Sequence, residues 1–330
     1  MWLLDFLTDN RILITGGAGS LGREIISFLL KANPSQIIVF SRDEAKHSTL
    51  VRNHFQGNST IKCIIGDVRD YGKLLMSTKG VDYIIHAGAL KQIDTMEFNP
   101  VESIRTNVDG SVNVAKAAYV NKVKKCILVS TDKACMATSA YGATKFLGEK
   151  VFTYFDYEFG DNTVFSSVRY GNVAGSTGSF IPYWLEKIRE GERIPVTLFE
   201  MTRFLFTLDD AANTVLKALR LSEGGEIFVP QISSYEIRDI LEVLAEHYEA
   251  ELRTENLGKR AGEKIHEDMM NPLELERAYA KNGLLVILPE LSRRNYTYKE
   301  RYEGPILNSK LHVEKDRAKI LNLLKRCMGI

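Results

Sequence analysis

The chain has 330 residues and a formal net charge of +1, and 45% of its residues are hydrophobic while 26% are charged. These values are typical of a globular protein that buries a large core, and the near-neutral charge disfavours nucleic acid or an anionic membrane as a general partner. The four cysteines include no Cys-x-x-Cys pair, which favours free thiols over disulfides or a zinc site. No stretch approaches the roughly 18 apolar residues of a membrane helix and the first residues lack a signal-peptide pattern, so we expect a cytoplasmic protein. We also expect no bound metal.

A glycine-rich turn joins the first predicted strand to the first predicted helix. Residues 11–15 have the pattern of a buried strand, and apolar residues recur at helical spacing after residue 24. Between them the glycines stand three residues apart, and the missing side chains let backbone N–H groups approach a pyrophosphate at the start of a helix. The turn therefore predicts that a dinucleotide is bound by Gly16, Gly19, Ser20, Leu21 and Gly22.

The residues that follow the second predicted strand bear on the choice between NAD and NADP. Residues 36–40 predict this strand, and Ser41, Arg42 and Asp43 follow it. An acidic residue at this place accepts hydrogen bonds from the ribose 2′-hydroxyl of NAD, whereas an arginine favours the 2′-phosphate of NADP. Ser41 and Arg42 therefore favour NADP, and Asp43 keeps NAD open as the alternative.

Two further strands are predicted at residues 61–65 and 83–86, and the second follows the apolar pattern of a buried parallel strand. After the second of them, small residues let the backbone pass close to a cofactor. We interpret His86, which ends this apolar run, as a structural residue. The candidate cofactor-binding residues of the turn are Ala87, Gly88 and Ala89.

The chemical candidates follow the fifth predicted apolar strand. Thr131, Asp132 and Lys133 stand directly after it, at the carboxyl end of a strand, where α/β sheets bind their ligands. Tyr141 and Lys145 are four residues apart on a predicted helix and therefore lie on one face of it. We expect the ammonium of Lys145 to lower the pKa of the phenol, so that Tyr141 acts as a general base.

Four short stretches give the chain a family resemblance. The chain resembles the soluble UDP-N-acetylglucosamine 4,6-dehydratases, including the C5-inverting kind, in Ser-Thr-Asp-Lys-Ala (130–134), Tyr-Gly-Ala-Thr-Lys (141–145), Arg-Tyr-Gly-Asn-Val (169–173) and Gly-Glu-Lys-Ile-His-Glu (262–267). Its glycine spacing and its tyrosine–lysine pair are similar to those of the extended short-chain dehydrogenases/reductases. The resemblance covers roughly residues 10–290.

The resemblance implies a reaction and a role for each chemical candidate. Thr131, Tyr141 and Lys145 would serve hydride transfer, Lys133 would be the base at C5 of the sugar, and Asp132 would be the acid at the C6 hydroxyl. The product would be a UDP-4-keto-6-deoxy sugar for surface-glycan biosynthesis. Inversion at C5 is implied because retaining relatives often carry methionine where this chain has Tyr141.

The resemblance also implies further binding residues. Cofactor contacts are implied for Asp67, Val68, Asn107, Tyr141 and Lys145. Substrate contacts are implied for Lys91, Asn172, Arg203, Arg260 and Glu263. In this reading Arg203 and Arg260 contact the diphosphate, since arginine suits bidentate phosphate recognition.

The order of the predicted elements indicates an α/β fold, with a Rossmann-like doubly wound parallel sheet and a smaller, mostly helical substrate lobe. We assign residues 1–173 to the NADP-binding domain, with 226–230 returning to its sheet as a strand. Residues 174–225 and 231–290 form the predicted substrate lobe, and 291–330 form a C-terminal extension. The extension ends in a basic amphipathic pattern, which favours a helix docked on its own fold or on a neighbouring subunit over one bound to a membrane.

The chain departs from the family pattern near the predicted substrate pocket. The family commonly has a proline and an asparagine within the segment that is Cys135–Ala140 here, an arginine in place of Thr177 and a tryptophan in place of Leu205. Two alternatives stay open. They are a UDP-sugar 4-epimerase, which needs the tyrosine–lysine pair but no Asp-Lys pair, and a non-catalytic dinucleotide-binding regulator. The resemblance also implies a homo-oligomer, either a dimer or a hexamer.

Overall fold

The computed structural model describes residues 4–176 and 179–328, so Thr177 lies outside the described residues. In chain order, the strands are β1 (Arg11–Thr15), β2 (Gln36–Ser41), β3 (Ile61–Ile65), β4 (Tyr83–His86), β5 (Lys125–Val129), β6 (Val164–Val168), β7 (Asn172–Val173), β8 (Ile194–Val196), β9 (Thr202–Phe206), β10 (Ile227–Pro230), β11 (Ser234–Glu236), β12 (Thr254–Asn256), β13 (Ala278–Lys281), β14 (Leu284–Ile287) and β15 (Glu300–Arg301). The α-helices are α1 (Ser20–Leu30), α2 (Glu44–His54), α3 (Tyr71–Ser77), α4 (Ile93–Phe98), α5 (Pro100–Ser103), α6 (Gly110–Val120), α7 (Ala140–Phe159), α8 (Phe180–Glu190), α9 (Leu208–Leu221), α10 (Ile237–His247), α11 (Pro272–Leu275) and α12 (Arg317–Met328).

The main sheet has ten strands in the order β15-β13-β14-β10-β6-β5-β4-β1-β2-β3. The neighbours from β3 to β10 all pair in parallel, and β14, β13 and β15 add antiparallel strands at one edge. The direction in which the strands succeed one another reverses between β1 and β4. At such a switch point, open α/β sheets bind ligands beyond the carboxyl ends of their strands. The predicted fold class is confirmed.

Helices cover both faces of the main sheet. On one face α1 packs against α9, and on the other α6 packs against α3 and α7. Along β1, Ile12 and Ile14 belong to the hydrophobic core shared with α1 and α9, and Leu13 belongs to the core shared with α3, α6 and α7. β1 is therefore buried on both faces, and β2, β4 and β5 are buried along most of their length, which accounts for the apolar runs of these strands. No helix within residues 4–176 and 179–328 is long and apolar enough to cross a membrane.

A smaller lobe has a core of its own, formed mainly by α8, α10 and α12. Two short sheets accompany these helices, in the orders β11-β9-β7 and β12-β8. The basic helix α12 packs on α10 of the same chain, and just before it Lys315 forms ion pairs of 2.8 Å with Glu236 and Asp239. The sequence left two docking sites open for this helix, one on its own fold and one on a neighbouring subunit. In the structure the helix docks on its own fold.

One edge of the main sheet differs from the predicted domain boundaries. The strands β13 and β14 come from the segment 231–290 assigned above to the substrate lobe, and β15 comes from the C-terminal extension. β13 and β14 form a hairpin around Asn282 and Gly283, both of which have positive φ angles. An Asn-Gly pair favours this kind of two-residue turn, so it is the sequence signal for the hairpin.

Candidate active site

The turn after β1 meets the turn after β4 at the switch point of the sheet. Gly16 has a φ of +68°, and a Cβ atom there would come within 2.8 Å of the Cα atom of Gly88. A Cβ atom on Gly22 would come within 2.3 Å of the backbone oxygen of Gly17, so only glycine lets α1 begin this close to the turn. The glycines therefore let the turn after β1 pack closely against the turn after β4 and against the start of α1. This brings the N-terminus of α1 to the switch point, and a helix N-terminus is suited to bind a pyrophosphate. The predicted residues of these two turns are Gly16, Gly19, Ser20, Leu21 and Gly22 in the first and Ala87, Gly88 and Ala89 in the second.

The residues beyond β2 and β3 lie side by side. Arg42 has a half-exposed side chain, and its Nη1 lies 3.6 Å from Oδ2 of Asp67. Asp43 caps α2, since its Oδ1 accepts the backbone N–H of Lys46 at 3.0 Å. Burial acts to raise the pKa of Asp67, but hydrogen bonds and the charge of Arg69 hold this pKa below its ordinary value. Arg42 is thus a half-exposed cation at the end of β2, while Asp43 is engaged by its own helix.

Two histidines near the predicted cofactor site have protein partners. His86 Nδ1 lies 2.7 Å from Thr15 Oγ1, and its Nε2 lies 3.2 Å from Ser111 Oγ. Burial lowers the pKa of His86 to about 3, so the imidazole is neutral. Ser41, a predicted cofactor residue, lies 2.8 Å from His47 through its hydroxyl. These contacts agree with the structural interpretation of His86.

Asn107 connects the turn after β4 to α7. It lies in the π-helical turn Ile104–Asp109, which leads into α6. Its Nδ2 donates to the backbone oxygen of Leu90 at 3.0 Å and to Oγ1 of Thr144 at 3.1 Å, and its Oδ1 accepts the backbone N–H of Leu90 at 2.8 Å. Val68, another predicted cofactor residue, is buried against the start of α6.

The turn after β5 places one ammonium between two buried carboxylates. The hydroxyl of Thr131 donates to Oδ1 of Asp132 at 2.9 Å. Lys133 Nζ donates to the same Oδ1 at 3.0 Å and to Oδ1 of Asn172 at 3.3 Å, and it lies 3.2 Å from Oε1 of Glu267. The side chains of Asp132 and Glu267 are 0% and 1% exposed. Thr131, Asp132, Lys133 and Asn172, all predicted site residues, are therefore in direct contact.

This arrangement shifts the pKa values of three groups. Burial raises the pKa of Asp132 although Lys133 opposes the shift. Burial acts to lower the pKa of Lys133, but the carboxylates raise it above its ordinary value. Burial acts to raise the pKa of Glu267, but Lys133 and Arg203 hold it below its ordinary value. Both acids therefore act on the Lys133 ammonium, Asp132 more strongly than Glu267, while their own pKa values move in opposite directions.

Tyr141 and Lys145 lie on the first two turns of α7. The helix is capped by Ser139, whose Oγ accepts the backbone N–H of Gly142 at 3.1 Å. Lys145 is 4% exposed. Burial lowers its pKa to about 8, against the opposing charge of Glu149.

The protonation of Tyr141 differs from the expectation. Burial raises the pKa of the phenol, and it outweighs the lowering by the charge of Lys133 and by a hydrogen bond with Thr131. The cation that acts most strongly on the phenol is therefore Lys133 rather than Lys145. The reason is that the fold brings the ammonium of Lys133, in the turn after β5, close to the phenol of Tyr141.

The arginines predicted to contact a diphosphate have carboxylate partners in this chain. Arg203 is buried, and it donates to Oε1 of Glu263 at 3.0 Å and to the backbone oxygen of Ile265 at 3.0 Å. Arg260 is half-exposed, and its Nη1 donates to Oδ2 of Asp94 at 3.1 Å. The Arg260–Asp94 pair joins the 258–264 loop to α4.

A cavity lies between the turn after β5 and the segment 262–267. Three carboxylate oxygens of this region, Asp132 Oδ2, Glu263 Oε2 and Glu267 Oε2, are buried and accept no hydrogen bond from the described residues. Buried acceptors without donors are costly, so this cluster indicates a place for the hydroxyl donors of a ligand. Lys91, also predicted to contact substrate, follows the turn after β4, and burial lowers its pKa. Residues that line the cavity include Ile93, Lys133, Ser139, Gly262, Glu263 and Glu267.

A comparison with known protein families matches residues 12–288 to the family described as polysaccharide biosynthesis protein. The chain belongs to this family. It is 40% identical, over 285 residues, to UDP-N-acetylglucosamine 4,6-dehydratase (inverting) from Campylobacter jejuni strain 81-176, and the match covers 86% of this chain and 84% of the relative. It is 39% identical, over 275 residues, to UDP-glucose 4-epimerase from Rickettsia bellii strain RML369-C, with 82% of this chain and 80% of the relative covered.

The X-ray structure of Pen from Bacillus thuringiensis is similar to the whole chain. The TM-score is 0.90 at 33% identity, and the match covers 97% of this chain and 99% of that chain. The likeness therefore includes most of the C-terminal extension. The resemblance drawn from the four short stretches is confirmed by these matches.

In this polysaccharide biosynthesis protein, a buried brace around Arg169 was not predicted. Arg169 is fully buried, and its Nε and Nη2 donate to the two oxygens of Glu149 at 3.1 and 2.6 Å. Its Nη1 and Nη2 donate to Glu274 at 3.0 and 2.9 Å, and Nη1 also donates to the backbone oxygen of Met269 at 2.9 Å. The brace thus ties α7 to the segment around α11. Arg169 directly follows β6 and is the first residue of the stretch 169–173 that contributed to the resemblance, but nothing in the sequence indicates its two acid partners.

Glu267 was also missed as a functional residue. It is the last residue of the stretch 262–267 that contributed to the resemblance, yet no role followed from the sequence. The spacing between Lys133 and Glu267 exceeds any local pattern, so only the fold reveals their contact. Nothing in the sequence distinguishes Glu267 from Glu263, the other acid of the same stretch.

Proposed function

We propose that this protein catalyses the NADP-dependent 4,6-dehydration of UDP-N-acetylglucosamine with inversion at C5. The product would be a UDP-4-keto-6-deoxy-N-acetylhexosamine for surface-glycan biosynthesis. The observation that carries the proposal is the hydrogen bond between Lys133 and Asp132, at a place where the charge of Lys133 also acts on the phenol of Tyr141. Loss of water across C5–C6 needs one acid and one base in such a position. The name of the Campylobacter relative supports the choice of reaction and substrate.

The turn between β1 and α1 supports binding of a dinucleotide pyrophosphate, because Gly16 and Gly22 allow the close packing that places the N-terminus of α1 at the switch point of the sheet. When bound there, the dinucleotide would take a hydride from C4 of the sugar and later return it to C6. The exposed guanidinium of Arg42 supports NADP over NAD, and so does the engagement of Asp43 as a helix cap. We expect Arg42→Ala to weaken binding of NADPH but not of NADH, as measured by the fluorescence of the bound nicotinamide.

The residues of the chain would supply the proton transfers. Tyr141 would accept the proton of the C4 hydroxyl, with Thr131 and Lys133 favouring the phenolate that this requires. Asp132, whose pKa is raised by burial, would donate a proton to the C6 hydroxyl as it leaves as water. Lys133 would remove the C5 hydrogen, which the C4 ketone makes acidic. Return of a proton to C5 from the opposite face would invert that centre.

The test is to incubate the purified protein with UDP-N-acetylglucosamine in deuterated water and to follow the sugar by NMR. We expect a 4-keto-6-deoxy sugar with deuterium at C5 in the L-arabino configuration. Deuterium at C5 with the original configuration would contradict inversion. No reaction, with a dinucleotide bound to the protein, would contradict the substrate.

A UDP-sugar 4-epimerase is the second candidate, because a Rickettsia relative of that name is 39% identical to the chain. An epimerase would use Tyr141 and Lys145 but would leave the C6 hydroxyl in place. The same NMR experiment separates the two reactions, since only dehydration creates a C6 methyl group. Any turnover would exclude the third candidate, a non-catalytic regulator.

We also propose that the protein is a homo-oligomer, either a dimer or a hexamer. Exposed apolar side chains lie on α7 and on the adjacent α4–α5 segment, which packs beside it. Phe98, on this surface, is 88% exposed. We expect Phe98→Glu together with Leu147→Glu to lower the molar mass measured by light scattering. An unchanged mass would contradict the use of this surface.

A further inference from the structure

A buried histidine of α2 contacts the last residue of β2. His47 is 5% exposed, and its Nε2 lies 2.8 Å from Oγ of Ser41 and 3.1 Å from the backbone oxygen of the same residue. Its Nδ1 is also buried and has no hydrogen-bond partner among the described residues. The hydrogen bonds that the imidazole makes within this part of the chain therefore all go to Ser41 through Nε2.

The contact with the carbonyl group decides which atom donates. The backbone oxygen of Ser41 also accepts the N–H of Gly66 at 3.0 Å, and a carbonyl oxygen can only accept. Nε2 of His47 must therefore carry a hydrogen, which it shares between the carbonyl oxygen and the hydroxyl oxygen of Ser41. A hydroxyl that accepts this hydrogen keeps its own hydrogen for another acceptor. The imidazole thus fixes the hydroxyl of Ser41 as a donor.

This hydroxyl lies where the adenosine ribose of a dinucleotide is bound in doubly wound folds. Ser41 ends β2, which pairs in parallel with β1. The backbone N–H of Gly16, in the turn after β1, donates to the backbone oxygen of Phe40 at 2.8 Å, so the turn and the end of β2 are in contact. Residues at the end of this strand read the 2′ group of the ribose. Ser41 and the half-exposed guanidinium of Arg42 are therefore neighbours at this place.

The two dinucleotides require different partners at the 2′ position. The oxygens of a 2′-phosphate only accept, and hydrogen bonds to a charged group are roughly twice as strong as neutral ones. The 2′-hydroxyl of NAD is instead held by an acceptor such as a carboxylate. The carboxylate nearest in sequence, Asp43, is engaged as the cap of α2. A hydroxyl that is fixed as a donor therefore favours NADP.

We propose that His47 is a positioning residue that directs the hydroxyl hydrogen of Ser41 to the 2′-phosphate of NADP. This inference deepens the proposed function and rests on its choice of NADP. Arg42 supplies positive charge, and Ser41 supplies a directed hydrogen bond. His47 acts through Ser41 and not by contact with the cofactor.

The test measures the dissociation constants of NADPH and NADH from the fluorescence of the bound nicotinamide. His47→Leu removes the donor at Nε2, whereas His47→Gln keeps an N–H donor at a similar distance from the backbone. Ser41→Ala removes the hydroxyl itself. The matched control is His54→Leu, which replaces an exposed histidine of the same helix whose Nε2 lies 2.8 Å from Nη1 of Arg23.

We expect His47→Leu and Ser41→Ala each to weaken NADPH binding about 10-fold, the scale of one hydrogen bond to a charged group. NADH binding should keep its wild-type value, because NADH has no 2′-phosphate. The double variant should lose no more than either single variant, since both changes remove the same hydrogen bond. His47→Gln and His54→Leu should bind both dinucleotides as the wild type does.

Three results would overturn the inference. One is a His47→Leu protein that binds NADPH as tightly as the wild type. Another is an equal loss of NADPH and NADH binding in His47→Leu, which indicates a structural role of the imidazole. The third is wild-type NADPH binding by Ser41→Ala, which is decisive even if His47→Leu does not fold.

Failure of the proposed function gives different results. A wild-type protein that binds NADH more tightly than NADPH contradicts the choice of NADP and overturns the inference with it. Failure of the proposed dehydration leaves these measurements unchanged, because they are made without a sugar nucleotide.

Discussion

Two buried clusters in this protein have the same charge pattern and differ in how their oxygens are bonded. Each holds one cation between two acids, with Arg169 between Glu149 and Glu274 in the brace and Lys133 between two acids in the reactive cluster. All four carboxylate oxygens of the brace accept hydrogen bonds. In the reactive cluster, one oxygen of Asp132 and one of Glu267 accept no hydrogen bond from the residues that the structure describes.

The difference shows how one charge pattern serves structure in one place and chemistry in another. Arginine stays charged and matches carboxylates with a planar fork, so the brace has no proton to transfer. Lysine is a point charge that can lose a proton, and each of its two acid partners keeps one oxygen without a hydrogen bond from the described residues. The brace, whose carboxylate oxygens are all hydrogen-bonded, fixes α7 against α11, whereas the reactive cluster keeps acceptors for the donors of a ligand.

The largest expected effect is on turnover, at Asp132. Asp132→Asn removes the proposed acid but keeps the size of the side chain. We expect the 6-deoxy sugar to form on the order of 100- to 10,000-fold more slowly, as is typical for loss of a positioned acid. Thermal unfolding should change little, since the amide keeps the shape of the side chain and its oxygen can still accept hydrogen bonds from Thr131 and Lys133. An Asp132→Asn protein that dehydrates the sugar at the wild-type rate would contradict the catalytic role that separates the reactive cluster from the brace.

The next effect is on stability, at Arg169. Arg169→Met leaves Glu149 and Glu274 as buried acids without their cation. We expect the free energy of unfolding to fall by about 3–5 kcal/mol, the usual consequence of breaking a buried ion pair, as measured by chemical denaturation. The control is Arg293→Met, which removes an exposed arginine 3.8 Å from Glu158 and should have little effect. Equal effects of both substitutions would contradict the structural role of the brace.

A smaller effect is expected at the start of α7, the helix that carries Tyr141 as well as Glu149. Ser139 accepts the N–H of Gly142, so Ser139→Ala should lower the free energy of unfolding by about 1 kcal/mol. Ser179 holds the corresponding position before α8, where its hydroxyl makes no capping hydrogen bond. Ser179→Ala is the matched control, and a loss as large as that of Ser139→Ala would contradict the capping account.

The pH dependence of stability should have opposite signs in the two clusters. Arg169 holds the pKa of Glu274 below its ordinary 4.5 against the effect of burial, so this stabilisation is present above pH 4.5 and is lost as the pH falls through the folded value. Burial raises the pKa of Asp132 above 3.8, so the folded state takes up this proton first and gains stability on acidification.

Denaturation at several pH values measures both contributions. On acidification, the wild type should lose stability relative to Glu274→Gln and gain it relative to Asp132→Asn. Each slope is limited to about 1.4 kcal/mol per pH unit for a single group. The same sign for both differences would contradict the protonation states assigned to the two clusters.

The dinucleotide turn was predictable because its requirements are local. Gly16 and Gly22 are needed where the backbone passes close to itself, and their spacing is visible in the sequence. The parallel strands were predictable because burial on both faces leaves continuous apolar runs. The hairpin at Asn282 carried an equally local signal that the assignment of a helical lobe overlooked.

The pairings within the two charged clusters were not predictable in the same way. The sequence provides Lys133 and the stretch that ends in Glu267, but which of its acids contacts the lysine depends on the packing of the smaller lobe. The pKa of Tyr141 was misjudged for the same reason, because burial and the nearness of Lys133 result from the fold rather than from helical spacing. Arg203 was expected to face a diphosphate, and its pairing with Glu263 is likewise a tertiary contact.

The most direct test of the proposed dehydration follows the hydrogen that leaves C4 of the sugar. UDP-N-acetylglucosamine deuterated at C4 is converted in ordinary water, and NMR locates the deuterium in the product. The account predicts deuterium in the C6 methyl group, because the hydride removed from C4 returns to C6 after water is lost. Deuterium found again at C4, in a sugar that keeps its C6 hydroxyl, would contradict dehydration and identify an epimerase.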